Sequence, residues 1–286
     1  MKVIRSISQL KEALKFRKLI DGSIGLVPTM GYLHQGHLKL VEQSKAANSF
    51  TVVSIFVNPL QFNNEVDLEK YPRNEKQDLA TLRENGVDVA FIPSEKEIYP
   101  DKLFISLSVK PIEDRLEGSY RPGHFSGVGV IVTKLLNYVG PDRAYFGLKD
   151  LQQYLIIRKI VKDLSIPVEI IGVPTVRSSN GLALSSRNSR LSQKGLETAS
   201  KIFEGLSMAK AHLLEYGEPR TVLRIMHDFY HQHAGIDLEY FSIVDPSTFE
   251  EIETFSPTVP VAICVAAYVE GIRLIDNLYL RPDCPE

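Results

Sequence analysis

Short runs rich in valine and isoleucine alternate with stretches of helical spacing along most of the chain, and this alternation constrains the fold more than any other feature. It is typical of βαβ units, in which a helix joins each strand to the next. Strands connected in this way pair in parallel, with right-handed crossovers. The strands predicted for this part of the chain are residues 24–27, 51–57, 87–92, 143–146 and 168–173.

Helix signals fill the intervals between these strands. Ser6 or Ser8 is placed to cap a first helix that runs to about Leu19 and is stopped by Asp21 and Gly22. The other helices predicted here are residues 38–47, 74–84, 126–138 and 151–162. Each of these lies between two predicted strands, as a doubly wound sheet requires.

The pattern changes at about residue 178. Two longer helices, residues 192–214 and 219–233, precede strands at 238–244, 261–269 and 272–280. Glu270 and Gly271 separate the last two strands, which indicates a tight antiparallel hairpin. At roughly 150 residues per domain, a chain of 286 residues accommodates two domains. We therefore predict a Rossmann-like α/β domain with a doubly wound parallel sheet over residues 1–177. A smaller C-terminal α+β domain with an antiparallel sheet, residues 178–286, is expected to cover the site.

The charge balance and the cysteine content limit the kinds of partner and the compartment that we expect for this chain. Its 33 Lys+Arg and 35 Asp+Glu give a net charge of −2, so no overall positive field would hold a long polyanion. The charged N-terminal stretch lacks the apolar core of a signal peptide, and no stretch reaches the roughly 20 apolar residues of a membrane span. Cys264 and Cys284 are too few for a disulfide framework. We expect a cytoplasmic protein without nucleic-acid or membrane partners.

The first βα junction, PTMGYLHQGH at residues 28–37, carries the strongest chemical signal. It places His34 and His37 where a helix begins beyond a strand, which is where open α/β sheets bind ligands. N–H groups at a helix start and on imidazoles suit a phosphate whose charge is changing. His37 directly follows Gly36 and is expected to matter more, whereas His34 is expected to have more conformational freedom. Two unrelated surface histidines are the alternative.

Two further segments carry groups that suit phosphate. The loop GLALSSRN at residues 181–188 holds Ser185, Ser186 and Arg187, although such a loop is also a common solvated turn. In FGLKDLQQ, at residues 146–153, Lys149 is placed to reach a phosphate. Asp150 is placed to cap a helix, to accept ribose hydroxyls, or to do both. Together with the histidine loop, these segments indicate a site for a small phosphorylated ligand.

Other classes of site fit the sequence less well. His-x-x-His lacks the Glu and the i,i+4 spacing of a zinc-protease helix, so a metal site stays unassigned. Gly127-Val128-Gly129 is a lone G-x-G, which favours helix packing over a dinucleotide site, and no P-loop sequence occurs. An RNA-binding module is the non-metabolic alternative, but the chain has no Trp and no basic run.

Six segments resemble, in the same order, those of the pantothenate synthetase family, the pantoate–β-alanine ligases. That family falls within the nucleotidylyltransferase superfamily, marked by HxGH and KMSKS-like segments, which includes class I aminoacyl-tRNA synthetases. The segments are PTMGYLHQGH, SIFVNPLQF at 54–62, YPR at 71–73, RPGHFSGV at 121–128, FGLKDLQQ and GLALSSRN. Leu148, Leu151 and Leu184 depart from the Glu, Tyr and Met that are usual in the family.

The resemblance implies a reaction in two steps. The pantoate carboxylate attacks the α-phosphorus of Mg²⁺-bound ATP, and β-alanine then displaces AMP from pantoyl adenylate. The resemblance also implies a homodimer, and catalytic roles for His34, His37, Lys149 and Arg187. The ATP-binding residues that it implies are Met30, Gly31, Tyr32, Leu33, His34, Gln35, Gly36, His37, Gly147, Leu148, Lys149, Asp150, Val176, Leu184, Ser185, Ser186 and Arg187.

Neutral amides suit pantoate. Its hydroxyls can hydrogen-bond to an amide, and a neutral amide forms no ion pair with the carboxylate that must react. Gln61 and Gln153 fit this role, and the resemblance adds Asn58, Tyr71 and Arg121. Asn58 also begins a turn before Pro59, and Tyr71 precedes Pro72 where the chain changes direction, so structural roles stay open for both.

Overall fold

The computed structural model describes residues 1–19 and 22–281, with side chains for residues 1–15 and 22–281. The chain divides into two compact units. The first comprises Met1–Leu148 and Gln153–Pro174, and the second comprises Lys149–Gln152 and Thr175–Glu286. The helix stop predicted at Asp21 and the second cysteine, Cys284, lie outside the described residues.

The first unit is built on parallel strands and the helices between them. In chain order its elements are β1 (Lys2–Ile4), α1 (Ile7–Leu19), β2 (Ile24–Thr29), α2 (Gln35–Ala47), β3 (Phe50–Ile55), α3 (Glu65–Glu69), α4 (Glu75–Glu84), β4 (Val89–Phe91), α5 (Glu95–Ile98), α6 (Glu117–Tyr120), α7 (His124–Val139), β5 (Arg143–Gly147), α8 (Leu151–Asp163) and β6 (Glu169–Val173). The first two residues of α8 belong to the second unit.

Within the described residues, the strands of the first unit form one parallel sheet in the order β1-β4-β3-β2-β5-β6. The register pairs Leu26 of β2 with Val52 on one side and Ala144 on the other. The chain therefore adds strands first on one side of β2 and later on the other. A reversal of this kind opens a crevice at the carboxyl ends of the two strands that flank it, here β2 and β5.

The central strands are shielded on both faces. Val52 and Val53 point to opposite sides of the sheet, and both are 0% exposed. A strand covered on both faces has a mostly apolar sequence, as β2 and β3 do, with few polar residues among valine, leucine, isoleucine and phenylalanine. On α7, a Cβ added to Gly127 would lie 2.2 Å from the carbonyl oxygen of Leu60. The glycine allows this close approach, so the G-x-G sequence belongs to helix packing, as predicted.

The second unit contains two long helices and an antiparallel sheet. Its elements are α9 (Gln193–Tyr216), α10 (Pro219–Gln232), β7 (Ile236–Val244), β8 (Val261–Val269) and β9 (Ile272–Leu280), with the strand order β7-β8-β9. Between β8 and β9, Glu270 and Gly271 have φ of +51° and +72°. A two-residue hairpin of type I′ needs left-handed conformations at both positions. The predicted hairpin is therefore present.

Glu270 also connects this hairpin to the start of α9. The Ser192 hydroxyl and N–H both donate to the Glu270 carboxylate, at 2.5 and 2.8 Å, and the same hydroxyl accepts from the Gly195 N–H. These hydrogen bonds lower the pKa of Glu270. The carboxylate therefore supports the helix N-terminus while it is ionised.

The core of the second unit lies between its helices and one face of its sheet. Leu206, Met226, Ile263 and Val265 are 0% exposed in this cluster. Tyr230 is buried beside them, and its hydroxyl donates to the Ile202 carbonyl at 2.8 Å. Burial raises the pKa of Tyr230, which keeps the hydroxyl neutral and donating.

The predicted fold class is confirmed, since a doubly wound parallel sheet is followed by an α+β unit with an antiparallel sheet. The longer predicted elements are present, with ends shifted by a few residues. β1, α3, α5 and α6 each have five residues or fewer, and they are missing from the prediction because none lies within a longer apolar run such as residues 87–92, which predicts the short strand β4. Cys264 is a buried free thiol. None of the helices in the described part of the chain combines the length and apolar character needed to cross a bilayer.

Candidate active site

A sharp turn joins β2 to α2, the helix that begins at the histidines. Gly31 and Tyr32 both adopt left-handed backbone conformations, with φ of +84° and +53°. The buried carboxylate of Asp78, from α4, accepts hydrogen bonds from the Tyr32 and Leu33 N–H groups, each at 2.8 Å. Asp78 therefore fixes the tightly turned part of the loop, and with it the start of α2.

His34 and His37 form a reciprocal cap at the start of α2. The His34 ring accepts at Nδ1 from the Gly36 N–H at 3.1 Å, and the His37 ring accepts at Nδ1 from the His34 N–H at 3.3 Å. A ring nitrogen that accepts a backbone N–H carries no proton, so the geometry assigns the proton of each neutral imidazole to Nε2. Both histidines are therefore set to donate from Nε2.

The two imidazole rings lie close together, with centroids 4.1 Å apart. His34 is the N-cap residue of α2 and is held by both its ring and its main chain. The His37 ring is held by a hydrogen bond of the same kind, so the greater freedom expected for His34 stays a prediction. A capping imidazole is fixed by the helix that it caps, a constraint that sequence position alone does not reveal.

Gln61 lies in a turn after β3, next to the same loop. Its amide nitrogen is 3.0 Å from Sδ of Met30, and its amide oxygen accepts from Asn58 Nδ2 at 3.2 Å. Asn58, 1% exposed, also donates to the Gly127 carbonyl at 3.1 Å and accepts from the Tyr99 hydroxyl at 2.8 Å. Burial raises the pKa of Tyr99, which keeps it a donor. The Asn58 amide is thus engaged with protein groups and holds Gln61 beside Met30.

Arg121 and His124 hold the main chain of that turn. His124 Nδ1 lies 2.8 Å from the Gln61 carbonyl oxygen, and His124 Nε2 lies 3.2 Å from Arg121 Nη1. Because a carbonyl only accepts, Nδ1 carries the proton and Nε2 accepts from Arg121. The guanidinium also lies 3.6 Å from the carboxylate of buried Glu117. This network fixes Gln61 and leaves Arg121 partly exposed.

The end of β5 supplies further residues of the predicted site. A Cβ added to Gly147 would meet nothing within 4 Å, so the main chain is open to approach there. Leu148 is 5% exposed, and its Cδ2 would lie 2.6 Å from a Cβ on Gly172. Leu148 therefore fills an apolar site, and only its main chain is suited to face a ligand. Gln153 lies in α8 and is partly exposed.

In the second unit, a short hairpin leads into the loop that carries Ser185 and Arg187. The Leu184 N–H donates to the Val176 carbonyl at 2.9 Å, which closes the hairpin. Ser185 then caps a 3₁₀ turn, its hydroxyl accepting from the Arg187 N–H at 3.3 Å. Ser186 is buried and Arg187 is partly exposed. The loop is thus a capped turn anchored to a hairpin.

Lys149 and Asp150 also belong to the second unit. Lys149 Nζ lies 3.1 Å from Asp150 Oδ1, with side-chain exposures of 20% and 47%. The Lys149 carbonyl accepts from the Asn277 side chain at 2.7 Å. Leu151, the second departure from the family pattern in this segment, is 2% exposed. Across the described ranges, no group of three or more His, Cys, Asp or Glu side chains could hold a metal ion.

The predicted residues thus fall into groups within each unit. The histidine loop, Gln61, Asn58 and Arg121 are connected through contacts in the first unit. Tyr71 packs edge-on against Phe62, with ring centroids 5.7 Å apart, and the described hydrogen bonds do not link Gln153 to the Gln61 group. Gly147, Leu148 and Gln153 also lie in the first unit, and the second unit holds Lys149, Asp150, Val176, Leu184, Ser185, Ser186 and Arg187.

Sequence reasoning does not find three residues that support these groups: Asp78, His124 and Asn277. Each binds main-chain atoms of a distant segment, so no spacing between side chains reveals it. Asp78 has the weak signal of an acidic residue in the first turn of α4, and that signal indicates only favourable helix electrostatics. His124 lies within RPGHFSGV, a segment already singled out.

The fold defines a doubly wound α/β protein in which the histidine loop directly follows the central strand β2. A family model described as Pantoate-beta-alanine ligase matches residues 2–279. The pantothenate synthetase of Cytophaga hutchinsonii is 44% identical over 280 residues, which cover 97% of this chain and 98% of that protein. The chain belongs to the pantoate-beta-alanine ligase family and is an enzyme of the ligase class.

Solved structures agree with this assignment. The crystal structure of pantothenate synthetase from Thermus thermophilus is 40% identical, with a TM-score of 0.92, and covers 99% of this chain and 100% of that one. The pantoate-beta-alanine ligase of Francisella tularensis, complexed with beta-gamma ATP and beta-alanine, is 36% identical. It has a TM-score of 0.80 and covers 100% of this chain and 99% of that one.

Proposed function

We propose that this enzyme condenses (R)-pantoate with β-alanine to pantothenate in an ATP-dependent reaction through pantoyl adenylate, releasing AMP and pyrophosphate. The observation that carries the proposal is the reciprocal histidine cap at the start of α2, in a chain of this ligase family. Two neutral Nε2–H donors at a helix start beyond a parallel strand suit a triphosphate. The Francisella relative, solved with an ATP compound and β-alanine, supports the same substrates.

In the first step, a carboxylate oxygen of pantoate attacks the α-phosphorus, and the bond to the bridging oxygen of pyrophosphate breaks. Negative charge then grows on the bridging and pyrophosphate oxygens. We assign its stabilisation to Nε2–H of His37 and His34, the ammonium of Lys149 and the guanidinium of Arg187. Mg²⁺ enters bound to ATP, as part of the substrate. No covalent bond to the enzyme is needed.

In the second step, the β-alanine amine attacks the acyl carbon of pantoyl adenylate. The acyl–oxygen bond breaks, AMP leaves with the electron pair, and the amine loses a proton as the amide forms. The enzyme's part is to hold the adenylate and keep water away from it. The residues proposed to contact the nucleotide are 30–37, 147–150, Val176 and 184–187, with Leu148 acting through its main chain.

Pantoate is assigned to the amides of Gln61 and Gln153. Gln61 is held by Asn58 and by the Arg121–His124 network, so its amide is oriented before substrate arrives. Asn58 therefore acts on pantoate through Gln61. Tyr71 and Arg121 complete the proposed set as lower-ranked neighbours, and Arg121 keeps a partly exposed guanidinium.

Isotope exchange tests the adenylate directly. With β-alanine omitted, the enzyme is expected to exchange label between pyrophosphate and ATP, and only when pantoate is present. An adenylate that forms reversibly requires this exchange. Absence of exchange, together with full turnover when all three substrates are supplied, would eliminate the stepwise scheme.

We further propose that the enzyme is a cytoplasmic homodimer. Phe104 and Ile105 are adjacent apolar residues that are 95% and 67% exposed, and we assign them as candidates for the contact between subunits. Light scattering of the purified protein should give twice the chain mass of 32.2 kDa. A mass of one chain at working concentration would contradict the dimer.

A further inference from the structure

We propose that two successive residues of β9, Asp276 and Asn277, are positioning residues for the ligase reaction. Asn277 fixes the main chain at Lys149. Asp276 acts through Arg177 to fix the base of the hairpin that leads to Arg187. These positioning roles rest on the catalytic roles proposed above for Lys149 and Arg187.

Arg177 is held from several sides. Its Nη1 and Nη2 donate to the two carboxylate oxygens of Asp276 at 2.6 and 3.0 Å. The same nitrogens donate to the carbonyls of Gly181 and Asn277 at 3.2 and 3.3 Å. The guanidinium carbon lies 3.8 Å from the centroid of the Phe203 ring. Side-chain exposures of 17% for Arg177 and 4% for Asp276 show that the pair is largely shielded from water.

Arg177 stands at the base of the hairpin. It pairs with Ala183 across the hairpin, next to the hydrogen bond from Leu184 to Val176. Gly181 makes the turn with φ of +87°, and its carbonyl is one of those that Arg177 binds. Arg177 therefore ties the turn of the hairpin to β9. A displacement of Arg177 would therefore also shift residues 185–187, the serine–arginine loop, because this loop directly follows Leu184.

Asn277 reaches the other segment. It is 7% exposed, and its Nδ2 donates to the Lys149 carbonyl at 2.7 Å. Its own N–H donates to Oδ1 of Asp276 at 2.8 Å. Because successive residues of a strand point to opposite faces, neighbouring positions on β9 can hold two separate segments. The contact fixes where the lysine side chain begins and leaves its ammonium to act.

Stability alone does not explain this arrangement. A buried ion pair contributes little net stability compared with apolar residues of the same volume. Burial raises the pKa of Asp276 and so opposes its ionisation, while the Arg177 guanidinium favours it. The hydrogen bonds from Arg177 and Asn277 end on the carbonyls of Gly181 and Lys149, in the segments that carry Arg187 and Lys149. Supporting contacts of this kind hold a catalytic group within about 0.5 Å of its working position.

Asn277→Ser tests the first half of the proposal, because serine is too short to reach the Lys149 carbonyl. The kcat of pantoate-dependent pyrophosphate–ATP exchange is expected to fall about 10- to 100-fold, since a displacement near 1 Å can cost about 10²-fold. The KM for pantoate should stay within about threefold of the parent. Asn277→Asp, similar in volume but without the donor, should lose exchange to a similar extent.

Tyr230→Phe is the matched control. It removes a buried side-chain hydrogen bond to a carbonyl in the same unit, at 2.8 Å from Ile202. It should lower Tm and leave the exchange kcat at the parent value. If Asn277→Ser behaves like this control, or if Asn277→Asp exchanges at the parent rate, the positioning role of Asn277 is overturned.

A double-mutant cycle separates this inference from the function on which it rests. If Asn277 acts through Lys149, Asn277→Ser should cause no further loss of exchange in a Lys149→Ala background. Additive losses would overturn the coupling. Unimpaired exchange in Lys149→Ala alone would overturn the proposed role of Lys149. Impaired Lys149→Ala with unimpaired Asn277→Ser would overturn only the positioning role.

The Asp276 half is tested by replacing the ion pair with apolar residues, Arg177→Met with Asp276→Leu, which removes both charges together. The double variant should fold and lose about tenfold or more in exchange, while preformed pantoyl adenylate still reacts with β-alanine within about threefold of the parent rate. Asp276→Asn, which keeps the volume of the carboxylate, should show the same selectivity for the first step. Parent-like exchange in either folded variant overturns the role of Asp276.

Discussion

Replacing His37 with asparagine separates the two functions that the structure gives this residue. The Nδ1 of His37 accepts from the His34 N–H at 3.3 Å as part of the helix cap, while Nε2–H is the proposed donor to phosphate. An asparagine amide oxygen can take the place of Nδ1, but its side chain ends before the position of Nε2. His37→Asn should therefore keep the cap and lose the donor.

The expected sizes of the two effects are well separated. Loss of a helix cap costs about 0.5–2 kcal/mol, so a variant that keeps the cap should show a Tm close to the parent's. Loss of one preorganised donor to developing charge costs about 2.7–4 kcal/mol, or about 10²- to 10³-fold in rate. We expect His37→Asn to lose this factor in kcat for pyrophosphate–ATP exchange, while calorimetry gives a nearly unchanged Tm.

His37→Gln is the paired variant, because the glutamine amide nitrogen reaches close to the position of Nε2. His37→Gln should exchange label about tenfold or more faster than His37→Asn, since it restores a neutral donor. The reasoning fails if folded His37→Asn exchanges within a few-fold of the parent. In that case the histidine would serve only the helix cap.

Three further outcomes are expected from other parts of the structure. Arg187→Ala should slow adenylate formation far more than the reaction of preformed pantoyl adenylate with β-alanine; equal losses in the two half-reactions would contradict a role at the triphosphate. Asp78→Asn should lower the stability by about 1–3 kcal/mol, because one N–H of the turn loses its acceptor, and should also slow exchange. Unchanged exchange would mean that the turn does not position the histidines. Glu270→Gln should lower Tm at about pH 7, and the difference should shrink as the pH falls through the lowered folded pKa of Glu270, because a carboxyl with a lowered folded pKa loses its stabilising effect when it is protonated in the folded state. A difference that persists in acid would show that the hydrogen bonds of Ser192 do not depend on the charge.

Much of the fold follows from local patterns in the sequence. The apolar runs of β2 and β3, the two-residue turn between β8 and β9, and the serine before α9 are physical signals that act over a few residues. β1 is different, because three residues carry no periodicity and it becomes a strand only by pairing with β4 far along the chain. Its register cannot be read from its own segment.

The candidate site divides in the same way. The histidines, Lys149 and the serine–arginine loop stand out because their side chains are of the right type at the start of a helix or after a strand. Asp78 and Asn277 escape notice because their partners are backbone groups, which every residue possesses. The cap formed by His34 also escapes prediction, since imidazoles are uncommon caps beside Ser, Thr, Asp and Asn. Supporting contacts of this kind depend on tertiary structure.

The place of Asn277 in the chain has a consequence for synthesis on the ribosome. It donates to the carbonyl of a residue that lies 128 positions earlier. At about 5–20 residues per second, the interval between making these two residues lasts about 6 to 26 seconds. During that time the parallel sheet, whose last strand ends at Val173, can already have formed, but the lysine segment lacks its anchor. By the positioning role proposed above, a nascent chain at this stage is partly folded but does not yet form adenylate efficiently. It therefore consumes little ATP before the hairpin of β8 and β9 has been synthesised.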